Sequence, residues 1–107
     1  MDKKYFKDKV IIITGASSGI GLASARLFGS CGAKVVMAAR HLDKLEAEVP
    51  SVSQNPDNVL CVKTDVSKEE DCKDLIAKTV EKFGRIDILV NNAGISNTKL
   101  IGFIKPE

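Results

Sequence analysis

Eight residues, Thr14-Gly15-Ala16-Ser17-Ser18-Gly19-Ile20-Gly21, hold three glycines and two serines directly after the apolar run Val10-Ile11-Ile12-Ile13. Such a loop offers backbone rather than side chains, and bare N–H groups are donors for anionic oxygens. Gly15 allows a tight turn, Gly19 lets the chain approach a phosphate, and Gly21 lets the following helix pack closely on the strand. A helix opening near Ser18 or Gly19 aims its unpaired N–H groups and the positive end of its dipole at the anion. Ser17 and Ser18 add hydroxyls. A glycine-rich turn that binds nothing has the same composition, so context must decide. A second polar segment, Asn91-Asn92-Ala93-Gly94, closes another apolar run. Its Asn amides can tie down neighbouring backbone, and Ala93-Gly94 leaves room for a flat ligand; the alternative is a turn using Asn and Gly for left-handed backbone.

The elements that must position these segments follow from periodicity. Val10 to Thr14 is a short β-branched run, the pattern of a strand buried on both faces. Ile20, Ala23, Leu27 and Cys31 recur at helical spacing, and Gly32 stands at the helix end. Lys34 to Ala39 reads as a second buried strand. Leu42, Leu45 and Val49 mark a short helix stopped by Pro50, and 51–57 is a polar loop. Asn58 to Thr64 is a third strand, and Ser67-x-x-Glu70 is a capping box for a helix carrying Cys72, Leu75, Ile76, Thr79, Val80 and Phe83, ended by Gly84. Ile86 to Val90 is the fourth strand. The order β-α-β-α-β-α-β implies an α/β fold, a Rossmann-like doubly wound parallel sheet of order 3-2-1-4 with right-handed crossovers. Strands 1 and 4 are then neighbours, and both polar segments open into one crevice at the carboxyl ends, where strand order reverses.

Composition narrows the classes. The 107 residues form one domain, 1–107, with 44% hydrophobic residues and a formal charge of +2. The lysines are scattered, so no nucleic-acid partner is expected. Cys31, Cys61 and Cys72 show no C-x-x-C spacing, which points to neither a disulfide framework nor a metal site but to small core residues of a reducing compartment. No apolar run has the length of a signal core or a membrane span, and a soluble cytoplasmic protein is expected.

The pattern Thr14-Gly15-x-x-x-Gly19-x-Gly21, with Asp65 and then Asn91-Asn92-Ala93-Gly94, resembles the cofactor half of a short-chain dehydrogenase/reductase over nearly all of residues 8 to 96. The resemblance implies a Rossmann fold and hydride transfer between NAD(H) or NADP(H) and a small-molecule carbonyl or alcohol. It places Asp65 and Val66 against the adenine ring, whereas the residues alone also fit a plain helix entry beside Ser67. It gives Gly15, Ser17, Ser18, Gly19, Ile20, Gly21, Asn91, Ala93 and Gly94 to cofactor binding. At the tip of the second strand an NAD enzyme carries an acid on the ribose; here Ala39 stands in that place and Arg40 follows. A guanidinium can hold a 2′-phosphate bidentately, which favours NADP(H); the alternative is a solvated Arg40. His41 reads as a surface residue.

The family's catalytic Ser, Tyr and Lys lie C-terminal to the Asn-Asn-Ala-Gly segment, and the sequence ends thirteen residues past Gly94. Tyr5-Phe6-Lys7-Asp8-Lys9 matches Tyr-x-x-x-Lys, but it precedes the first strand, so about 16 Å of strand separates it from the carboxyl end. Proton transfer needs hydrogen-bond reach, so this pair is a coincidence. The expectation is a partial domain, truncated after the fourth strand, inactive alone and with that strand's edge open. The full-length protein is expected to be a homo-oligomer. The alternatives are a non-catalytic dinucleotide-binding module or truncated gene product, and, behind these, a nucleotide-sugar epimerase or dehydratase, whose glycines are spaced differently. No Gly-Lys-Ser/Thr follows the glycines, which excludes a phosphate-loop NTPase. Residues 97–107 carry no assignable role.

Overall fold

The computed structural model of the protein describes residues 3–92. Ala93, Gly94 and the tail to Glu107 lie outside the described residues.

The chain runs α1 (Lys3–Phe6), β1 (Val10–Thr14), α2 (Gly19–Ser30), β2 (Lys34–Ala39), α3 (Leu42–Val52), a 3-10 turn (Pro56–Asn58), β3 (Val59–Lys63), α4 (Glu69–Phe83) and β4 (Ile88–Val90). The strands form one parallel sheet in the order β3-β2-β1-β4. Alternate side chains of each strand point to opposite faces. Ile11, Ile13, Val35 and Met37 therefore pack on one side with Leu22, Ala25, Leu45 and Val52 of α2 and α3. Val10, Ile12, Val36 and Ala38 pack on the other with Cys72 and Leu75 of α4. All five residues of β1 are buried, while all three of β4, at the sheet edge, are only half-buried.

The register sets where the loops emerge. Thr14 lies opposite Ala38, Ala39 opposite Lys63, and Ile13 opposite Val90. The four strands thus end nearly flush, and the segments that follow them share one rim. Two helices on the first face are fastened at their far ends: a Cβ on Gly29 would collide with the Val52 carbonyl, and Arg26 donates to Ser51 Oγ at 3.1 Å and Glu48 Oε1 at 3.0 Å.

Several expectations are corrected. Pro50 does not stop the third helix, which continues to Val52. Its missing N–H removes one bond in the last turn, where Ser53 N–H still reaches the Val49 carbonyl. Of the residues at helical spacing Ile20, Ala23, Leu27 and Cys31, only Cys31 is buried; Ile20 is 76% exposed and Leu27 46%, and Gly21, Leu22 and Ala25 are the buried residues of α2. The capping box does not form: Lys68, not Ser67, is the N-cap of α4 and makes no side-chain cap. Ser67 is held by Asp65 instead, an acceptor two residues away in a local turn. Val80 is exposed, and β3 and β4 are shorter than expected, because only residues paired in the ladder are strand.

Candidate functional site at the carboxyl rim of the sheet

The glycine loop leaves the centre of the sheet, with the Ala16 side chain buried in the core of the first face. Gly15 has φ +62° and Gly19 +57°, conformations that only glycine adopts freely. Ala16 N–H bonds the Ala38 carbonyl at 3.2 Å, which fastens the loop to β2. A Cβ on Gly19 would meet nothing within 4 Å, so its bare backbone faces open space. Gly21 has the opposite surroundings: a Cβ there would strike the Gly15 carbonyl and lie 2.8 Å from Asn92 Nδ2. The first turn of α2 is thus packed directly on the loop and on the segment leaving β4. Ser18 is the N-cap, its backbone extended and its side chain making no cap, so the first N–H groups of α2 are left to other acceptors. Ser17 is half-buried and Ser18 exposed.

Thr14, fully buried, joins the two segments. Its hydroxyl oxygen accepts the Asn92 N–H at 2.9 Å, and the hydroxyl donates toward Asn91 Oδ1 at 3.3 Å, with the Val90 carbonyl at 3.5 Å as a second acceptor. The sequence marked Thr14 only as part of a pattern; its β-branched type at a strand end gave no hint of this clamp. The convergence of residues 15–21 with Asn91 and Asn92 is the arrangement expected from strand order.

Two further segments complete the rim. Arg40 is exposed directly after β2, and His41 is exposed at the N-cap position of α3 without a side-chain cap. Past β3, Asp65 Oδ1 accepts both the Ser67 hydroxyl at 2.6 Å and the Ser67 N–H at 3.0 Å. Those two bonds hold the Asp65 carboxyl below the usual carboxylate range, helped by the positive charges of Lys68 and Arg40. Arg40 and Asp65 are therefore electrostatic neighbours across the tips of β2 and β3. Asp65 is a helix-entry residue beside Ser67, as its local sequence allowed, and stands at the rim as well. Asp71, which no motif marked, accepts the Asp65 N–H at 2.8 Å.

Elsewhere the chemistry is quiet. Cys31 and Cys72 are buried and Cys61 half-buried, and none of the three is in a disulfide. Burial pushes the Cys61 thiol up to about 11, with Glu46 adding to the shift, so it stays protonated near neutrality. No group of three or more His, Cys, Asp or Glu side chains among the described residues could hold a metal. No helix among them is long and apolar enough to cross a membrane. Tyr5 lies in α1 at the amino end of β1, with the Lys9 ammonium 5.1 Å from its ring centre.

A parallel sheet ordered β3-β2-β1-β4, with helices on both faces and a glycine loop at the exit of its central strand, belongs to the Rossmann-like α/β class. The chain is a member of the short chain dehydrogenase family, whose pattern it matches over residues 9–107. It is 46% identical over 101 residues to an uncharacterized oxidoreductase of Listeria monocytogenes, covering 94% of this chain and 41% of that protein. Glucose dehydrogenase of Caenorhabditis elegans in its apo form is similar with a TM-score of 0.79 and 44% identity, over 85% of this chain and 40% of that one. The 3-ketoacyl-(acyl-carrier-protein) reductase of Brucella melitensis complexed with NADH gives 0.77 and 42%, over 84% and 36%. The chain thus spans 41% or less of each of these relatives. The family is one of oxidoreductases that bind NAD(P).

Proposed function

We propose that residues 9–94 form the dinucleotide-binding half of an NADP(H)-dependent oxidoreductase acting on a small carbonyl or alcohol. The observation that carries this reading is the bare backbone at the mouth of β1 and β4, where Gly19 faces open space and Gly21 is packed against Gly15 and Asn92. That cradle fits a diphosphate, which needs close main-chain approach and donors without side chains in the way. Gly15, Ser17, Ser18, Gly19, Ile20 and Gly21 would hold it. When bound, the dinucleotide supplies the hydride acceptor or donor.

Asp65 and Val66 would take the adenine end. Asp65 Oδ2 is an acceptor and the Val66 N–H a donor with no acceptor among the described residues. One donor and one acceptor side by side complement the base edge that carries the amino group of adenine. Arg40 would hold the 2′-phosphate; its exposure at the β2 tip supports this, as does the absence of an acid in that place. Asn91, Ala93 and Gly94 would take part in binding the same cofactor.

The residues through Glu107 bind and orient rather than transfer protons in this reading. The sole tyrosine of the sequence, Tyr5, sits at the wrong end of β1 for chemistry at the rim. Three cysteines that form no disulfide are in keeping with a reducing, cytoplasmic setting.

Titration of NADPH and NADH against the chain and its Arg40→Asp variant tests the proposal. NADPH is expected to bind the wild type more tightly than NADH, and the variant to lose at least about tenfold in NADPH affinity while NADH stays within about threefold. A preference that ignores the substitution removes Arg40 from the site. No binding of either dinucleotide removes the proposal.

A further inference from the structure

The turn between β3 and α4 is gripped by two consecutive residues of α4 that belong to no sequence motif. Asp71 Oδ2 accepts the main-chain N–H of Asp65 at 2.8 Å, and Cys72 Sγ donates to the Val66 carbonyl at 3.5 Å. The Thr64 N–H bonds the Ala39 carbonyl at 2.8 Å, which anchors the start of the turn on β2, and the Lys68 N–H closes it on the Asp65 carbonyl at 2.9 Å. The backbone of Asp65 and Val66 is thus fixed from the helix side; Ser67 occupies Asp65 Oδ1, and Asp65 Oδ2 and the Val66 N–H have no partner among the described residues.

Asp71 differs from its acidic neighbours in the first turn. Glu69 and Glu70 are exposed, and Glu69 makes only a long surface pair with Lys73 at 3.9 Å. All three carboxylates suit a helix N-terminus. Asp71 alone is half-buried and bonded to the turn, through a charge-assisted hydrogen bond to main chain, the stronger kind.

We infer that Asp71 is a positioning residue for base recognition: its carboxylate sets the direction in which Asp65 and Val66 present their acceptor and donor, without itself touching the ligand. The inference rests on the assignment of that turn to the adenine end. Asp71 then governs preference among bases rather than grip on the phosphates.

Binding of 2′,5′-ADP, its hypoxanthine counterpart and reduced nicotinamide mononucleotide to wild type, Asp71→Ala and Asp71→Asn tests this. Asp71→Ala is expected to weaken 2′,5′-ADP by about tenfold, the scale of one charge-assisted hydrogen bond. It should also erase most of the preference for adenine over hypoxanthine and leave the mononucleotide within about twofold. Asp71→Asn keeps an acceptor oxygen for the Asp65 N–H and should retain the base preference. In the ligand-free protein the Asp65 amide is expected to exchange slowly in the wild type, where Asp71 accepts its N–H, and quickly in Asp71→Ala. A variant that melts earlier yet keeps the base preference, or keeps the slow amide, overturns the inference alone. Failure of the wild type to bind 2′,5′-ADP overturns the adenine assignment, and the inference with it.

Discussion

The two rims of the sheet are built from the same four strands and treat their polar groups in opposite ways. At the amino rim the chain satisfies itself. Val10 N–H donates to Asp87 Oδ2 at 2.8 Å, Asp87 N–H returns a bond to the Val10 carbonyl at 2.9 Å, and Lys34 Nζ lies 3.0 Å from Asn58 Oδ1 and 3.5 Å from Asp8 Oδ1. Phe6 closes that end against Phe28, edge to face, with ring centres 5.0 Å apart. At the carboxyl rim the glycine loop, the uncapped start of α2 and the exposed Arg40 present donors that nothing in the described chain accepts in full. A parallel sheet needs only one end closed by its own side chains. The other end is left as backbone, and under the proposed function a ligand would complete its hydrogen bonding there.

Substitutions at three positions break or sharpen that contrast. Gly21→Val should be the most damaging, because a Cβ at that position runs into backbone that cannot swing aside. Urea unfolding should show a loss of about 3 kcal/mol, and dinucleotide binding should vanish. Asp87→Ala strikes the amino rim: it leaves the Val10 N–H without its acceptor, at a cost of about 2 kcal/mol, yet should keep NADPH affinity within about twofold. A large affinity loss there would mean the rims are not independent. Burial alone would push the Asp87 carboxyl up, but the Val10 N–H and Arg85, with Lys9 nearby, outweigh it and hold it below the ordinary 3.8. A carboxyl depressed in the folded state stabilises fully above its unfolded value and loses that contribution as pH falls through the lower folded value. The wild-type advantage over Asp87→Ala should therefore narrow below about pH 4, as read from unfolding at stepped pH. Thr14→Val is the mildest: about 1 kcal/mol in stability, with NADPH affinity down about fivefold as Asn91 and Asn92 lose their clamp, and Thr14→Ser close to wild type in both.

Much of this was legible in the sequence, for identifiable reasons. Val10–Thr14 and Lys34–Ala39 are continuous apolar or β-branched runs, which only a strand covered on both faces tolerates, and both stand where the sequence put them. The rim was legible because glycine spacing reports backbone demands directly. The inward face of α2 was not, because Ile20, Ala23 and Leu27 share the helical period of Leu22 and Ala25 on another side of the same helix. Periodicity finds a helix more reliably than it finds which stripe is covered. Asp71 was hidden by its neighbours: Ser67-x-x-Glu70 fits a capping box on paper, but Asp65 is a closer partner for Ser67, and the bond that matters comes from one position further along.

The contact of Gly29 with Val52 acts at a distance from where it is made. Helix α2 begins at the glycine loop and α3 begins just after Arg40, and the two are bolted together ten residues later, about 15 Å from the loop. The bolt works as a calliper whose jaws are the loop and the guanidinium. Under the proposed function, Gly29→Ala would reset the gap between the jaws and shift the preference between NADPH and NADH from a position about 15 Å from the loop.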